Sequence, residues 1–201
     1  MNSTATMMFG STETVEHRMK HLLRVRDVQD KAHSGEGGHF TAFIAWSFQP
    51  EGTELEGIRK ATGFDYLRTV AVVRLFLDNI ENVQASYVTQ GPKIAQIALR
   101  YGINDFGSTM MEENVVSSAG TTHKVNINRI LRLIREAGYT PAQRNTKYHT
   151  LRVFEGEENS EKDFVRRRGI SIIYQQNNLL SDFTALENVL IPLVNNGYSW
   201  A

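Results

Sequence analysis

The chain has 201 residues, of which 41% are hydrophobic, and its 22 basic residues balance 22 acidic ones. This length allows one domain with or without an additional piece, and the neutral charge provides no basic surface for nucleic acid or anionic lipid. The sequence contains no cysteine, no signal-like N-terminus and no apolar run of membrane-spanning length. It therefore excludes disulfides and thiolate metal sites and predicts a cytoplasmic protein without membrane insertion.

The first part of the chain predicts two β-strands, each followed by a helix. An apolar strand at residues 4–9, expected to be buried on both faces, precedes a helix from about Val15 to Lys31. A second strand at residues 40–48 precedes a helix marked by apolar residues from Tyr66 to Ile80. The glycine-rich connection at residues 33–39 fits neither a P-loop nor a dinucleotide fingerprint, so it is predicted to be a loop.

Four charged or titratable residues on these helices are predicted to be solvent-exposed. They are His17, His21, Arg68 and Arg74, which lie away from the apolar stripes. The two histidines are four residues apart and could in principle bind a metal, but no third ligand is evident nearby. We therefore predict no metal site.

The central part of the chain predicts two further strands and two further helices. A strand marked by Val83 and Thr89 leads to a helix that starts at Pro92 and stops at Gly102. A strand at residues 103–106 follows, and a last helix is predicted from about Asn126 to Ala137. Four strands that alternate with helices predict an α/β fold, namely a curved parallel sheet with helices on one side. A closed barrel needs eight such units, so this is half of one.

Three segments in this region closely resemble a known enzyme family. They are QASYVTQGPK at residues 84–93, NDFGSTMMEENVVSSAG at residues 104–120 and AGYTPAQRNT at residues 137–146. All three resemble the C-terminal half of dehypoxanthine futalosine cyclase, a radical S-adenosylmethionine (SAM) enzyme of menaquinone biosynthesis, and the resemblance extends over about residues 3–148. It implies that the four strands correspond to the last four of a (β/α)8 TIM-type barrel.

The resemblance also implies the chemistry of the intact family enzyme. Such an enzyme uses SAM and a [4Fe–4S] cluster held by three cysteines on the front half of the barrel, to cyclise a futalosine-derived nucleoside. Neither SAM nor the cluster is expected to bind fully to this chain alone, because the sequence has no cysteine. We therefore expect a truncated chain, inactive alone, whose partner is a chain that supplies the missing half-barrel or a second copy of itself.

Residues at the predicted strand ends are the candidates for the substrate site. Asp105 and Glu112 are predicted to be catalytic, as groups that accept a proton or orient a hydroxyl. The predicted substrate-binding residues are Gln49, Gln90, Asn104 and Glu113. Each has a structural alternative: turn chemistry for the glutamines, an Asx-type turn for Asn104 and Asp105, and the first turn of a helix for the glutamates.

The C-terminal part has a different character. Residues 151–163 are acidic and aperiodic, as in a linker, which leaves residues 1–150 as the half-barrel. The segment RRRGISIIYQQNNLLSDFTALENVLIPL, within residues 164–201, resembles the Q-loop region of an ABC transporter ATPase of the lipoprotein-releasing type. That resemblance matches Gln175 to a nucleotide-sensing glutamine, but the phosphate-binding GxxxxGK[ST] pattern is missing. The alternative is a buried strand, a loop and a short helix.

Three functions remain open from the sequence. The chain could be a fragment of the cyclase that works with a second chain, a non-catalytic nucleoside-binding module, or a chimeric polypeptide that interacts through its ABC-like tail.

Overall fold

The computed structural model describes residues 2–35, 37–109 and 125–155. The chain divides into two compact units, Met1–Ile130 and Leu131–Ala201. The elements of the first unit are, in chain order, β1 (Ser3–Phe9), α1 (Val15–His33), β2 (Phe40–Ser47), α2 (Gly63–Phe76), β3 (Asn82–Gln84), α3 (Tyr87–Gln90) and α4 (Pro92–Ala98). A 3-10 turn at Leu99–Tyr101 extends α4.

The first unit contains a parallel sheet in the order β1, β2, β3. The mixed α/β class with a parallel sheet is therefore confirmed. The predicted fourth strand at residues 103–106 is present only as a single parallel bridge between Gln84 and Asp105. The amide of Ala85 donates to the Asp105 carbonyl at 2.8 Å. The described residues of the first unit thus form three strands and a bridge, and four complete barrel units are not confirmed.

The predicted strand from Val83 to Thr89 is wrong beyond Gln84, because Tyr87–Gln90 forms a helical turn. The backbone there bonds to itself, with the Gln90 amide donating to the Ser86 carbonyl at 3.1 Å. The Ser86 amide donates instead to the hydroxyl of Tyr66, which lies on α2, at 2.9 Å. The Thr89 hydroxyl also donates to the Ser86 carbonyl at 3.2 Å, and local side-chain bonds of this kind compete with a sheet ladder. Tyr87, Val88 and Thr89 are buried in the turn, so their sequence pattern is also that of a strand.

The sheet has one covered face. Helix α1 contacts β1 and helix α2 contacts β2, and the side chains that share this face of the sheet are buried, namely Ala5, Met7, Phe9, Phe43, Ala45 and Val83. The rings of Phe9 and Tyr66 stack with centroids 6.4 Å apart, and the Arg18 guanidinium lies over Phe9. The expectation that β1 is buried on both faces is wrong, because Thr4, Thr6 and Met8 on the opposite face are exposed. Successive side chains of β1 point to opposite faces of the sheet, so buried and exposed residues alternate along the strand.

Both long helices begin with a capping box. The side chain of Thr14 accepts from the amide of His17 at the start of α1, and Thr62 and Asp65 form the same arrangement at the start of α2. His17 and His21 are exposed, as predicted, and the His21 ring contacts the Thr6 carbonyl. Within the described ranges, no group of three or more metal-ligating side chains is found.

The prediction that Arg74 is solvated is wrong. Its guanidinium is half-buried and donates from Nε to the Gly102 carbonyl at 2.6 Å. It also donates to the Glu81 carbonyl at 3.0 Å and to Asn104 Oδ1 at 3.1 Å. Burial lowers the pKa of Arg74. Arg74 therefore joins α2 to the loop before β3 and to the segment that follows the 3-10 turn. Arg68 remains largely exposed, as predicted.

The second unit contains a hairpin after helix α5 (Ile127–Glu136), which begins before the unit boundary. The helix stops at Gly138, whose φ of 91° is in the left-handed region. Strands β4 (Ala142–Arg144) and β5 (Thr150–Val153) pair antiparallel. In the turn between them, Asn145 Oδ1 accepts from the amides of Lys147 and His149. Over the described parts of both units, the helices lack an apolar stretch of membrane-spanning length.

Candidate functional site

The carboxyl edge of the parallel sheet brings two predicted substrate-binding glutamines to one serine. Ser47 ends β2 and is fully buried. Its Oγ accepts from Gln49 Nε2 at 3.0 Å and from Gln90 Nε2 at 2.5 Å. Gln49 Nε2 also donates to the Ser47 carbonyl at 3.1 Å. Residues that are 41 positions apart in the sequence thus share one hydroxyl, because α3 carries Gln90 back to the end of β2.

Gln49 and Gln90 differ in how far they are enclosed. Gln49 is 7% exposed, so it lies inside the edge, whereas Gln90 is only partly buried. The turn chemistry that the sequence left open for Gln49 is present, since its side chain bonds back to Ser47. The side chain of Gln90 takes no part in the turn that follows it and reaches across to β2 instead. Substrate binding by either residue stays a prediction.

Asp105 lies beside the same sheet and shapes the loop that follows it. Its Oδ1 accepts from the Gly107 amide at 2.9 Å, which is the Asx-type turn that the sequence left open. Gly107 has a φ of 92°, and a Cβ there would lie 3.3 Å from the Gln84 side-chain nitrogen. The hydroxyl of Tyr87 donates to the Ser108 carbonyl at 2.8 Å and holds the loop further along. The catalytic role of Asp105 stays a prediction.

Asn104 is not brought together with the two glutamines. Its Oδ1 accepts from the Val83 amide at 2.9 Å and from Arg74, and its Nδ2 donates to Asn82. Asn82 is in register with Ala42 near the start of β2, whereas Ser47 ends that strand. This position favours a structural role for Asn104, and its substrate contact stays a prediction. The other three predicted residues, Glu112, Glu113 and Gln175, lie outside the described residues.

Glu13, which lies after the carboxyl end of β1, was not predicted from the sequence. One carboxylate oxygen accepts from the Gly10 amide at 2.6 Å and the other from the Ser11 amide at 2.8 Å. Arg18 donates to it at 2.7 Å. Burial alone would raise the pKa of Glu13, but the hydrogen bonds from Gly10 and Ser11 outweigh that effect and lower it to about 2. The sequence signal that could have indicated Glu13 is its position as an acidic residue directly before Thr14, the residue that caps α1.

The ends of β1 and β2 are adjacent, so the Glu13 loop and the Ser47 cluster belong to one edge. Phe9 is in register with Ser47, and the Phe48 amide donates to the Phe9 carbonyl at 2.7 Å. The carboxyl edge therefore carries two amides, a hydroxyl and two carboxylates, those of Glu13 and Asp105. Such groups can bind and orient a ligand rich in hydroxyls.

Comparison with known proteins identifies the family. The family model of the CofH/MqnC C-terminal region matches residues 37–156 of this chain. The chain belongs to this family. The match includes the residues of the carboxyl edge that follow β1, among them Ser47, Gln49 and Gln90. It ends before the segment that resembles an ABC ATPase. That second resemblance therefore stays a prediction about residues outside the described part.

Several curated relatives agree with this assignment. The chain is 59% identical over 165 residues to the cyclic dehypoxanthine futalosine synthase of Halalkalibacterium halodurans, covering 82% of this chain and 43% of the relative. It is 41% identical over 153 residues to the 5-amino-6-(D-ribitylamino)uracil--L-tyrosine 4-hydroxyphenyl transferase of Archaeoglobus fulgidus, covering 74% and 43%. It is 37% identical over 162 residues to the aminodeoxyfutalosine synthase of Thermus thermophilus, covering 78% and 42%. The chain thus spans about two fifths of the length of these relatives.

Proposed function

We propose that this chain is the substrate-side part of a radical SAM cyclase that acts on dehypoxanthine futalosine. The similarity to the Halalkalibacterium halodurans synthase, at 59% identity, supports this substrate over those of the more distant relatives. One structural observation carries the proposal: Gln49 and Gln90 meet at Ser47 on the carboxyl edge of the sheet, the edge at which α/β barrels bind substrate.

The residues of this edge bind and orient the nucleoside. The amide nitrogens of Gln90 and Gln49 bond to Ser47, and a glutamine amide oxygen accepts a hydrogen bond from a ribose hydroxyl, so these two residues help to fix the position of the sugar. Asp105, together with Glu112 or Glu113, orients a hydroxyl or accepts a proton from it during ring closure. Orientation of this kind speeds the reaction, because the reacting groups lose their translational and rotational entropy when the substrate binds rather than during the chemical step.

The chain's own residues do not fit the [4Fe–4S] cluster of the family. Three thiolates are needed to hold such a cluster, and the sequence has no cysteine. No radical step is therefore assigned to these residues. The proposed partner is a polypeptide that supplies the three thiolates and, with them, the SAM-binding half of the barrel.

The same absence of cysteine favours a second candidate function. A chain that retains the glutamine cluster without cluster ligands can act as a nucleoside-binding module without catalysis. The two functions differ in one respect that can be measured. The first requires that the edge supports turnover when a cluster-binding half is present, whereas the second requires binding only.

A hybrid protein tests the proposal. In the hybrid, residues of this chain replace the matching region of the Halalkalibacterium halodurans synthase, which covers 43% of that protein. We expect the anaerobically purified hybrid to convert dehypoxanthine futalosine to its cyclic product. Gln90→Leu in the hybrid should raise KM for the nucleoside about 5- to 10-fold, as expected for loss of one hydrogen bond of about 1 kcal/mol or slightly more.

The controls of the hybrid experiment separate the candidates. Iron and sulfide content establishes that the cluster is loaded, and Gln143→Leu on the exposed strand β4 serves as a matched substitution that should leave KM unchanged. A hybrid with a loaded cluster that binds the nucleoside but forms no product would refute the cyclase assignment and leave the binding module. A hybrid that does neither would refute both.

A further inference from the structure

Ser47 occupies a rigid position between two predicted substrate-binding residues. It is the last residue of β2, it is in register with Phe9 of β1, and its side chain is fully buried. The hydroxyl accepts from the amide nitrogens of both Gln49 and Gln90. A buried strand residue moves little, so any group bonded to it takes a fixed position as well.

The bond to Ser47 decides which way the amide of Gln90 faces. The terminal torsion of a glutamine is broad and roughly two-fold, so an unheld carboxamide presents nitrogen or oxygen in either direction. Here the nitrogen of Gln90 is directed to Ser47, which turns the carbonyl oxygen away from the strand. Within the described residues no hydrogen bond to that oxygen is found, and Gln90 is only partly buried, so the oxygen can face a ligand at this edge.

We infer that Ser47 is a positioning residue for substrate recognition, which holds Gln90 so that its carbonyl oxygen accepts a hydroxyl of the nucleoside ribose. This inference rests on the proposed function, because it needs a nucleoside at this edge. Ser47 itself does not touch the ligand. Its effect passes through Gln90, and therefore it should disappear when the Gln90 amide is removed.

A double-mutant cycle on the full chain tests this dependence. Dissociation constants for dehypoxanthine futalosine are measured by calorimetry for wild type, Ser47→Ala, Gln90→Ala and the double variant. We expect Ser47→Ala to weaken binding about 3- to 5-fold and Gln90→Ala about 5- to 10-fold, since the first loses the group that orients the Gln90 amide and the second loses the hydrogen bond to the ligand. The double variant should bind no more weakly than Gln90→Ala alone.

Ser86→Ala is the matched control for loss of a serine hydroxyl. Ser86 follows β3, and its Oγ bonds to Thr89 Oγ1 at 2.8 Å rather than to a glutamine. We expect this variant to bind the nucleoside within 2-fold of wild type. Thermal unfolding of each variant separates a loss of folding from a loss of affinity. Equal losses in Ser47→Ala and Ser86→Ala, or additive losses in the cycle, would overturn the inference.

A measurement on the unmodified chain keeps the inference testable if Ser47→Ala fails to fold. In a glutamine-labelled sample, the side-chain amide protons of Gln90 should exchange with solvent more slowly than those of Gln143, which is exposed. Exchange of Gln90 as fast as that of Gln143 would overturn the positioning role. If wild type fails to bind the nucleoside while Gln90 is protected, the proposed function fails and the positioning role for substrate fails with it. Normal binding with an unprotected Gln90 overturns the inference alone.

Discussion

Replacing Glu13 with glutamine should destabilise the first unit in a pH-dependent way. The carboxylate accepts from the amides of Gly10 and Ser11 and from Arg18, through both oxygens. Glutamine offers one acceptor oxygen, so its amide nitrogen would face an N–H group that it cannot bond. The substitution thus removes a charge-assisted bond and leaves a donor without a partner.

The magnitude follows from the pKa of Glu13, which falls from 4.5 to about 2 in the folded chain. A shift of this size corresponds to roughly 3 kcal/mol at about 1.36 kcal/mol per unit. The side chain is 19% exposed, so solvent screening reduces the expected effect to about 2 kcal/mol. Because the folded pKa is depressed, this stabilisation is fully present above pH 4.5, and more than half of it should be lost by about pH 3.

Urea denaturation of wild type and Glu13→Gln at pH 7 and pH 3 measures this difference. We expect a loss of about 2 kcal/mol at pH 7 and less than about 1 kcal/mol at pH 3. Glu16→Gln is the matched control, because Glu16 pairs with Lys20 on the same helix but is 73% exposed. Its effect should stay below about 0.5 kcal/mol. Equal destabilisation by Glu13→Gln at both pH values would refute the reasoning.

Two further predictions concern the packing that supports the edge. Arg74→Met should cost about 2 to 4 kcal/mol in the free energy of unfolding by urea, because the carbonyl of Gly102 loses its side-chain donor inside the fold. Arg68→Met should cost less than about 0.5 kcal/mol, and similar losses in the two variants would contradict the role given to Arg74. Gly10→Ala should lower stability by more than Gly52→Ala. Both positions have a positive φ, but only at Gly10 would the new Cβ meet another atom, at 2.9 Å. A similar shift in melting temperature for both glycine variants would show that backbone strain alone decides the effect.

The sequence by itself determined the elements that depend on local chemistry. The proline that begins α4 and the glycine that ends α5 specify helix boundaries, because the proline has a fixed φ and no N–H to satisfy, and the glycine accepts the left-handed conformation. The parallel α/β class followed from the alternation of strands and helices. Spaced motifs gave the family, which the match over residues 37–156 confirmed.

The tertiary structure alone decided which residues meet. Tyr87–Gln90 has the composition of a strand, but it forms a helical turn, in which the Gln90 amide bonds to the Ser86 carbonyl while the Ser86 amide bonds to Tyr66 on another helix. Arg74 belongs to the polar side of its helix pattern, yet it is half-buried among carbonyls that distant loops supply. The meeting of Gln49 and Gln90 at Ser47 has no sequence signal. Contacts between residues far apart in sequence depend on the path of the chain through the sheet, and a pattern within one segment carries no information about that path.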